Sequence, residues 1–354
     1  MRILDRYIFR TVTAATLVAL LVLLLLEFFL SLMMELKSVG KGSYGVMAAL
    51  RYLLWLQPQY VYELFPMALL VGGLLGMGAL ASGSELIVMR AAGLSLTRLT
   101  RSALQAGLLL SLAVLALGEF VAPALERTAR DQRAAARAEG LEIRGGRGFW
   151  ARDGDTFIHV RAVLPGVRLE GIRSFKIGPE AQLETVTTAQ DARYADGRWL
   201  LEGVSRSRFA ADQVQSEHLA SLLMPSALNP QILDVLAANP SDLSIRDLRL
   251  YVAYLEGNGL DAQDYRLALW RKLLAPLAYV AMLVIAMPFV FGPQRSAGVG
   301  QRLLIGLLLG LGFFLSNYLL GNVVLLYGLP PLLGATLPTL LFLSAGFYAL
   351  HRLR

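Results

Sequence analysis

The sequence predicts an α-helical membrane protein with six transmembrane helices and a β-rich, jelly-roll-like domain inserted between helices three and four. Three observations predict it. Long apolar stretches come in two groups of three, over roughly Thr11–Ala124 and Leu273–Leu350. A helix needs about 20 mainly apolar residues to cross a bilayer. The stretch between the groups is polar, with strand-like alternation. The composition, 56% hydrophobic and 17% charged over 354 residues, is too apolar for an ordinary soluble domain.

The first span is Val12–Met34, with one charge, Glu27. Arg2, Arg6 and Arg10 precede it, but the apolar run is longer than a signal-peptide core. Its end, Leu30 to Glu35, offers no small-residue cleavage site, so the helix is expected to be retained. The second span lies within Val46–Ala81, broken by Pro58 and Pro66, and the third is Ala103–Ala122, with Glu119. Between them Ser82-Gly83-Ser84-Glu85 reads as a capping box opening a short helix over about 82–93, closed by Gly93. Leu86-Ile87-Val88-Met89 is apolar enough there to want a partner surface or the bilayer interface. After span three, Glu126–Glu139 is Ala- and Arg-rich and reads as helix. Arg127, Arg130, Arg133 and Arg137 then fall within about a third of its circumference.

In the insert, Thr156 to Arg161 alternates as a half-buried strand does. Val167, Leu169, Ile172, Phe175 and Ile177 continue in short pieces broken by glycines. Asp196-Gly197 signals a hairpin before Trp199-Leu200-Leu201. Strands so spaced suggest a sandwich or jelly roll. Pro225, Pro230 and Pro240 mark the exit. Ser244 and Asp247 form a capping box for a helix with Ile245, Leu248, Val252 and Leu255 on one face, ended by Gly257. Spans four to six are Leu273–Phe291 (with Pro276 and Pro288), Leu303–Tyr327 and Leu329–Leu350. The expected domains are therefore 1–139, 140–243 and 244–354.

Positive charge in the short loops gives an orientation. With both termini cytoplasmic, that side holds Arg2, Arg6, Arg10, Arg90, Arg98, Arg101, Arg295, Arg302, Arg352 and Arg354. The opposite side holds only Lys37, Lys41 and at most Arg51. The insert is then external, which in a Gram-negative cell is the periplasm. The net charge of +7 is explained by these flanking arginines rather than by nucleic acid.

No catalytic site is legible. There is no P-loop, no H-E-x-x-H and no G-x-S-x-G. His159, His218 and His351 lack metal-ligand spacing, and there is no cysteine. Neither metal nor cofactor is expected. Glu27 and Glu119 lie in or near apolar spans, which makes each a functional candidate or an interior-facing structural residue. A lipid-acting enzyme would need a polar cluster at the membrane surface, and none is visible. A membrane-anchored sensor or assembly protein with an outer ligand-binding domain is the alternative reading.

Dispersed motifs carry a resemblance. They run from Leu4-Asp5-Arg6-Tyr7-Ile8, Gly42-Ser43-Tyr44 and Phe65-Pro66-Met67 through Ser84-Glu85-Leu86, Val88-Met89 and Gly93. They continue with Gly118-Glu119, Val121-Ala122-Pro123, Trp150-Ala151, Asp153-Gly154, Phe291-Gly292-Pro293, Arg295-Ser296, Tyr327-Gly328 and Pro330-Pro331. In that order, around one β-rich insert, the chain resembles the LptF/LptG (YjgP/YjgQ) permease family of lipopolysaccharide export ABC transporters, the LptG branch more than the LptF branch.

The resemblance implies a non-catalytic permease subunit paired with an LptF-like second permease. Two LptB-like ATPase copies would hydrolyse ATP, which fits the missing P-loop, and an LptC-like protein would lay a helix beside the first span. Lipopolysaccharide would enter from the outer leaflet of the inner membrane and pass to periplasmic jelly rolls. Lys37, Lys41, Arg130, Arg133 and Arg137 would meet lipid A phosphates; relatives often carry a second lysine after Lys37, where this chain has Ser38. Glu85, Leu86, Val88, Met89 and Arg90 would dock into the ATPase. Phe157, Ile172, Phe175 and Leu200 would line a lipid path through the insert.

Overall fold

The computed structural model describes residues 3–137, 148–164, 168–180, 182–195, 197–210, 213–224, 228–237, 239–291 and 298–352. Arg2, Val167, Asp196, Pro225, Gly292-Pro293, Arg295-Ser296, Arg354 and positions 138–139 of the arginine-rich helix lie outside the described residues. The helices are α1 (Ile3–Glu35), α2 (Val46–Ser82), α3 (Glu85–Ala91), α4 (Leu96–Ala116), α5 (Ala122–Ala136), α6 (Pro230–Ala237), α7 (Ile245–Gly257), α8 (Gln263–Phe291), α9 (Val299–Leu326) and α10 (Pro331–His351). The strands are β1 (Phe149–Asp153), β2 (Thr156–Leu164), β3 (Arg168–Ile177), β4 (Leu183–Ala195), β5 (Arg198–Ala210) and β6 (Gln213–Met224). Packing divides the chain into two units. One is Met1–Lys37, Leu53–Glu126 and Arg266–Arg354; the other is Ser38–Tyr52 and Arg127–Tyr265.

Among the described residues, six helical segments are long and apolar enough to cross a membrane: α1, α2, α4 continuing into α5, α8, α9 and α10. Pro58 and Pro66 do not break α2, which runs unbroken through both. Within a helix bundle, neighbouring groups satisfy the carbonyls that a proline frees. A π-helical turn, Leu117–Val121, joins α4 to α5. The centre of this unit is α2 with α8: Phe65, Leu69, Leu70, Leu74 and Met77 meet Met282, Leu283, Ala286 and Met287, all buried. Small residues let the backbones approach. A Cβ on Gly72 would sit 2.4 Å from Thr16 Cα of α1, and one on Gly346 would sit 3.0 Å from the Ile285 nitrogen of α8. By contrast α1 leaves Leu17, Val18, Leu21, Val22, Leu25, Leu26 and Phe29 exposed, and α9 exposes Leu304, Leu308, Phe314 and Leu315. In water such faces would aggregate; in lipid they are the normal exterior.

The second unit is built on one six-stranded antiparallel sheet in chain order, β1 to β6. Its alternation changes phase midway. Val160, Ile172, Ala189 and Val204 are buried, and so are Val163, Leu169, Ala192 and Leu201, three residues on or back along each strand. A period of 2 cannot bury both members of such a pair without a bend. The bend runs across the sheet at Gly171 and Gly203, which adopt φ of 65° and 63°. The Arg161 and Gln190 side chains lie over them. Pairing keeps one register across the bend, and β3 and β4 shift register only farther along, between Lys176 and Ile177. Ile158, Ser174, Thr187 and Arg206 from one side of the bend and Leu222 and Met224 from the other line a common groove of about 280 Å³.

Trp199 anchors the interior, fully buried, its Nε1 donating to the Leu228 carbonyl at 2.6 Å. Pro230 does not merely mark an exit. Asn229 caps α6, its Oδ1 accepting from the Ile232 amide at 2.9 Å, and Pro230 takes the first position, where no N–H is needed. Ser244 caps α7 as expected, accepting from the Asp247 amide. The left-handed residue closing α7 is Gly259, φ 65°, rather than Gly257. Leu260 N then bonds Leu255 O at 2.8 Å, as a helix-ending turn requires. The Tyr254 hydroxyl donates to the Arg152 carbonyl at 2.8 Å. Burial pushes the Tyr254 phenol above its ordinary value; the Arg152 bond opposes this and the Asp153 carboxylate adds to it.

Candidate functional site

The predicted phosphate-binding cations gather on α5 and on the loop before α2. Arg130, Arg133 and Arg137 are spaced three and four apart, hence on one helix face, and all are partly exposed. The Arg133 guanidinium lies 4.9 Å from the Tyr52 ring centroid. Stacking on the ring fixes the plane of the guanidinium. Lys41 is brought alongside by backbone. The Ser43 amide and hydroxyl both donate to the Ala136 carbonyl, at 2.8 and 2.9 Å. Gly42 takes φ 57°, and a Cβ there would sit 2.8 Å from that carbonyl oxygen, so only glycine fits. Tyr44, 2% exposed, anchors the loop. Exposed Lys41 therefore stands at the C-terminal end of the arginine face. Lys37 is exposed at the turn Leu36–Ser38 and belongs to the other unit. Arg127, fourth in the predicted stripe, is instead tied to Asp247 at 2.6 Å. Tyr52 was not singled out from sequence, and Gly42 only within a resemblance motif, because their roles arise only where the loop touches α5.

The short helix between spans two and three exists, but its face differs from expectation. Leu86 and Met89 are buried in their own unit's core, while Ile87 and Val88 are 51% and 66% exposed and Arg90 is exposed. On a helix, positions 86 and 89 share a face, and 87, 88 and 90 look elsewhere. Leu86 and Met89 thus face their own core, and Ile87 is exposed beside Val88. The capping box is also absent: Ser84 is left-handed, φ 61°, with no side-chain cap, and the Ser82 hydroxyl turns back to the Gly78 carbonyl. Glu85 faces the Tyr7 hydroxyl of α1. Nearby, Asp5 of α1 accepts from Ser102 at 2.9 Å and pairs with Arg98 at 3.5 Å.

The four residues predicted to line a lipid path do not share a face. Ile172 is buried on the inner face with Ile158 and Val160. Phe157 pairs with Phe175 on the outer face, where Trp150 lies 5.7 Å from Phe175. Leu200 pairs with Leu223 beside the buried, oppositely directed Leu201. Aromatic bulk alone did not reveal direction: Phe157 alternates with the buried Ile158, and Phe175 lies three residues from the buried Ile172, so both turn outward. The groove on the inner face also carries Lys176, Arg206 and Arg208 with Asp153.

Polar groups inside the helical unit are gathered. Ser31 donates to Glu27 at 2.8 Å and lies 3.2 Å from the Tyr60 hydroxyl. Glu119 sits in the π-helical turn, whose Gly118 presses on the Tyr62 ring. Lys272, 6% exposed, lies 5.3 Å from the centre of that ring. A lysine at the edge of an apolar span was a legible signal that sequence reading passed over. Among the described residues there is no group of acidic or histidine side chains able to hold a metal.

Comparison with known proteins now decides the class. The profile described as lipopolysaccharide export system permease LptF/LptG matches residues 6–352. The chain belongs to this family. It is 35% identical over 353 residues to the lipopolysaccharide export system permease protein LptG of Escherichia coli strain K12, covering 99% of this chain and 98% of that one. It is 32% identical to the protein of that description from Haemophilus influenzae, over 99% of both chains. The six spans with a β domain between the third and fourth are thus the frame of a lipopolysaccharide export permease.

Proposed function

We propose that this chain is the LptG-type half of a transporter that draws lipopolysaccharide from the outer leaflet of the inner membrane and hands it to a periplasmic bridge. The observation that carries this is the basic corner. A loop locked onto α5 by Gly42 and Ser43 sets Lys41 at the end of the Arg130, Arg133 and Arg137 face. Lysine and arginine there oppose the positive-inside bias, and lipid A phosphates supply a reason to keep them. Lys37 is a further phosphate-binding candidate, in the helical unit. The chain is multi-pass in the inner membrane with both termini cytoplasmic and the β domain periplasmic.

ATP is hydrolysed by two LptB-like subunits, which α3 meets through Ile87, Val88 and Arg90, with Glu85 bridging to α1. The uncovered apolar faces of α1 and α9 support an LptF-like partner and an LptC-like helix within the membrane. The inner wall of the β domain, Ile172 with Ile158 and Val160, is the candidate lipid path.

The test is whether the chain co-purifies with an ATPase subunit and a second six-span chain, and whether lipopolysaccharide stimulates that ATPase. A sensor would bind ligand without stimulating hydrolysis, and that result would remove the transport reading. Orientation is tested by cysteine labelling on this cysteine-free chain. Exposed Ser216 suits an outside probe, whereas Trp199 is too buried to react.

A further inference from the structure

The helical unit carries a cleft at one end. The start of α4 and the end of α10 enclose a cleft of about 430 Å³. Its floor is apolar, with Leu104 and Phe347; its rim carries Thr97, Thr100, Arg101 and His351. Among the described residues no carboxylate lines it. Arg101 and His351 are exposed, and no ion pair or side-chain hydrogen bond ties either one down among the described residues. Neighbouring charges are already engaged: Arg98 with Asp5, and Arg352 over the Tyr348 ring at 4.8 Å. Because α4 begins and α10 ends here, the cleft opens at one membrane boundary, where acyl chains meet headgroups. The N-terminus of α4 adds a favourable dipole for an anion.

We propose that this cleft binds an anionic glycerophospholipid of the leaflet on the arginine-rich side. The phosphodiester sits among Arg101, His351 and the two threonine hydroxyls, and an acyl chain lies along Leu104 and Phe347. Basic clefts between spans on the cytoplasmic side are suited to such headgroups, and each cation near the surface is worth about a fivefold preference. The cleft's size lies within the roughly 300–1,000 Å³ of small-ligand sites. The leaflet assignment rests on the orientation proposed above; the headgroup preference does not.

The assembled complex is placed in nanodiscs containing photoactivatable phosphatidylglycerol or, separately, phosphatidylethanolamine with the same chains. Labelling is mapped to residues 96–104 and 347–351. Phosphatidylglycerol should label these segments several-fold more than phosphatidylethanolamine. Arg101→Gln with His351→Asn should erase the difference, and Leu104→Trp, which fills the floor, should reduce labelling by both. Lipopolysaccharide crosslinking at position 133 should be unchanged in all variants, which separates this site from the transport reading. Equal labelling by the two lipids, labelling unaffected by the variants, or protein-to-protein crosslinks in place of lipid would overturn the proposal.

Discussion

Lys272 lies buried over the Tyr62 ring, in an electrostatic field that includes Glu119. In the β domain, Arg168 pairs with Asp191 at 3.0 Å and Arg193 with Glu202 at 3.4 Å, on the outer face and partly exposed. The helical unit gathers its charges inward because its exterior has no water to solvate them; the β domain turns them outward because its exterior does. Charge should therefore weigh heavily in the first unit and lightly in the second.

The largest effect expected is from Lys272→Glu. It sets a third carboxylate around Tyr62, beside Glu63 and Glu119. A cost above about 3 kcal/mol is expected from an uncompensated buried charge. It would be read as loss of folded protein on detergent thermal denaturation, with Lys272→Met milder. Wild-type stability in the glutamate variant would break the comparison.

Trp199→Phe comes next. It keeps most of the ring but leaves the buried Leu228 carbonyl without its donor. Chemical denaturation should show a loss of about 1–3 kcal/mol in the β domain. Gly203→Ala should cost about 1–2 kcal/mol, since φ 63° is forced by the bend. A neutral result there would mean that the bend relaxes without glycine.

Tyr254→Phe should cost about 1 kcal/mol near neutral pH. The raised phenol value means the protonated form is favoured in the folded state. Its contribution is complete below the unfolded value of about 10 and lost as pH rises through the folded one. A stability titration should therefore show wild type and variant converging in alkali. The smallest change is Arg193→Ala, within about 0.5 kcal/mol for an exposed pair.

The spans were legible because length and apolarity are read directly from the chain, and the arginine face of α5 because its period is local. Four things were not. Pro58 and Pro66 looked like breaks, but a bundle tolerates them. Phe157 and Phe175 looked like groove residues, but alternation with the buried Ile158, Val160 and Ile172 turns both outward, and aromatic size hid it. Leu86 and Met89 looked like docking residues because an apolar run does not say which of its members face home. Lys41's place beside Arg137 depends on a backbone contact between Ser43 and Ala136, far apart in sequence.

The central claim is that Lys41 and the α5 arginines hold a lipopolysaccharide phosphate. It is tested most directly by site-specific photo-crosslinking at positions 41 and 133 in the intact complex, with and without charge reversal of the partner residue. Lipopolysaccharide should crosslink at both positions. Arg133→Glu should abolish capture at 41, and Lys41→Glu should weaken capture at 133, with assembly of the complex intact. Undiminished capture and transport in both charge-reversed proteins would contradict the account.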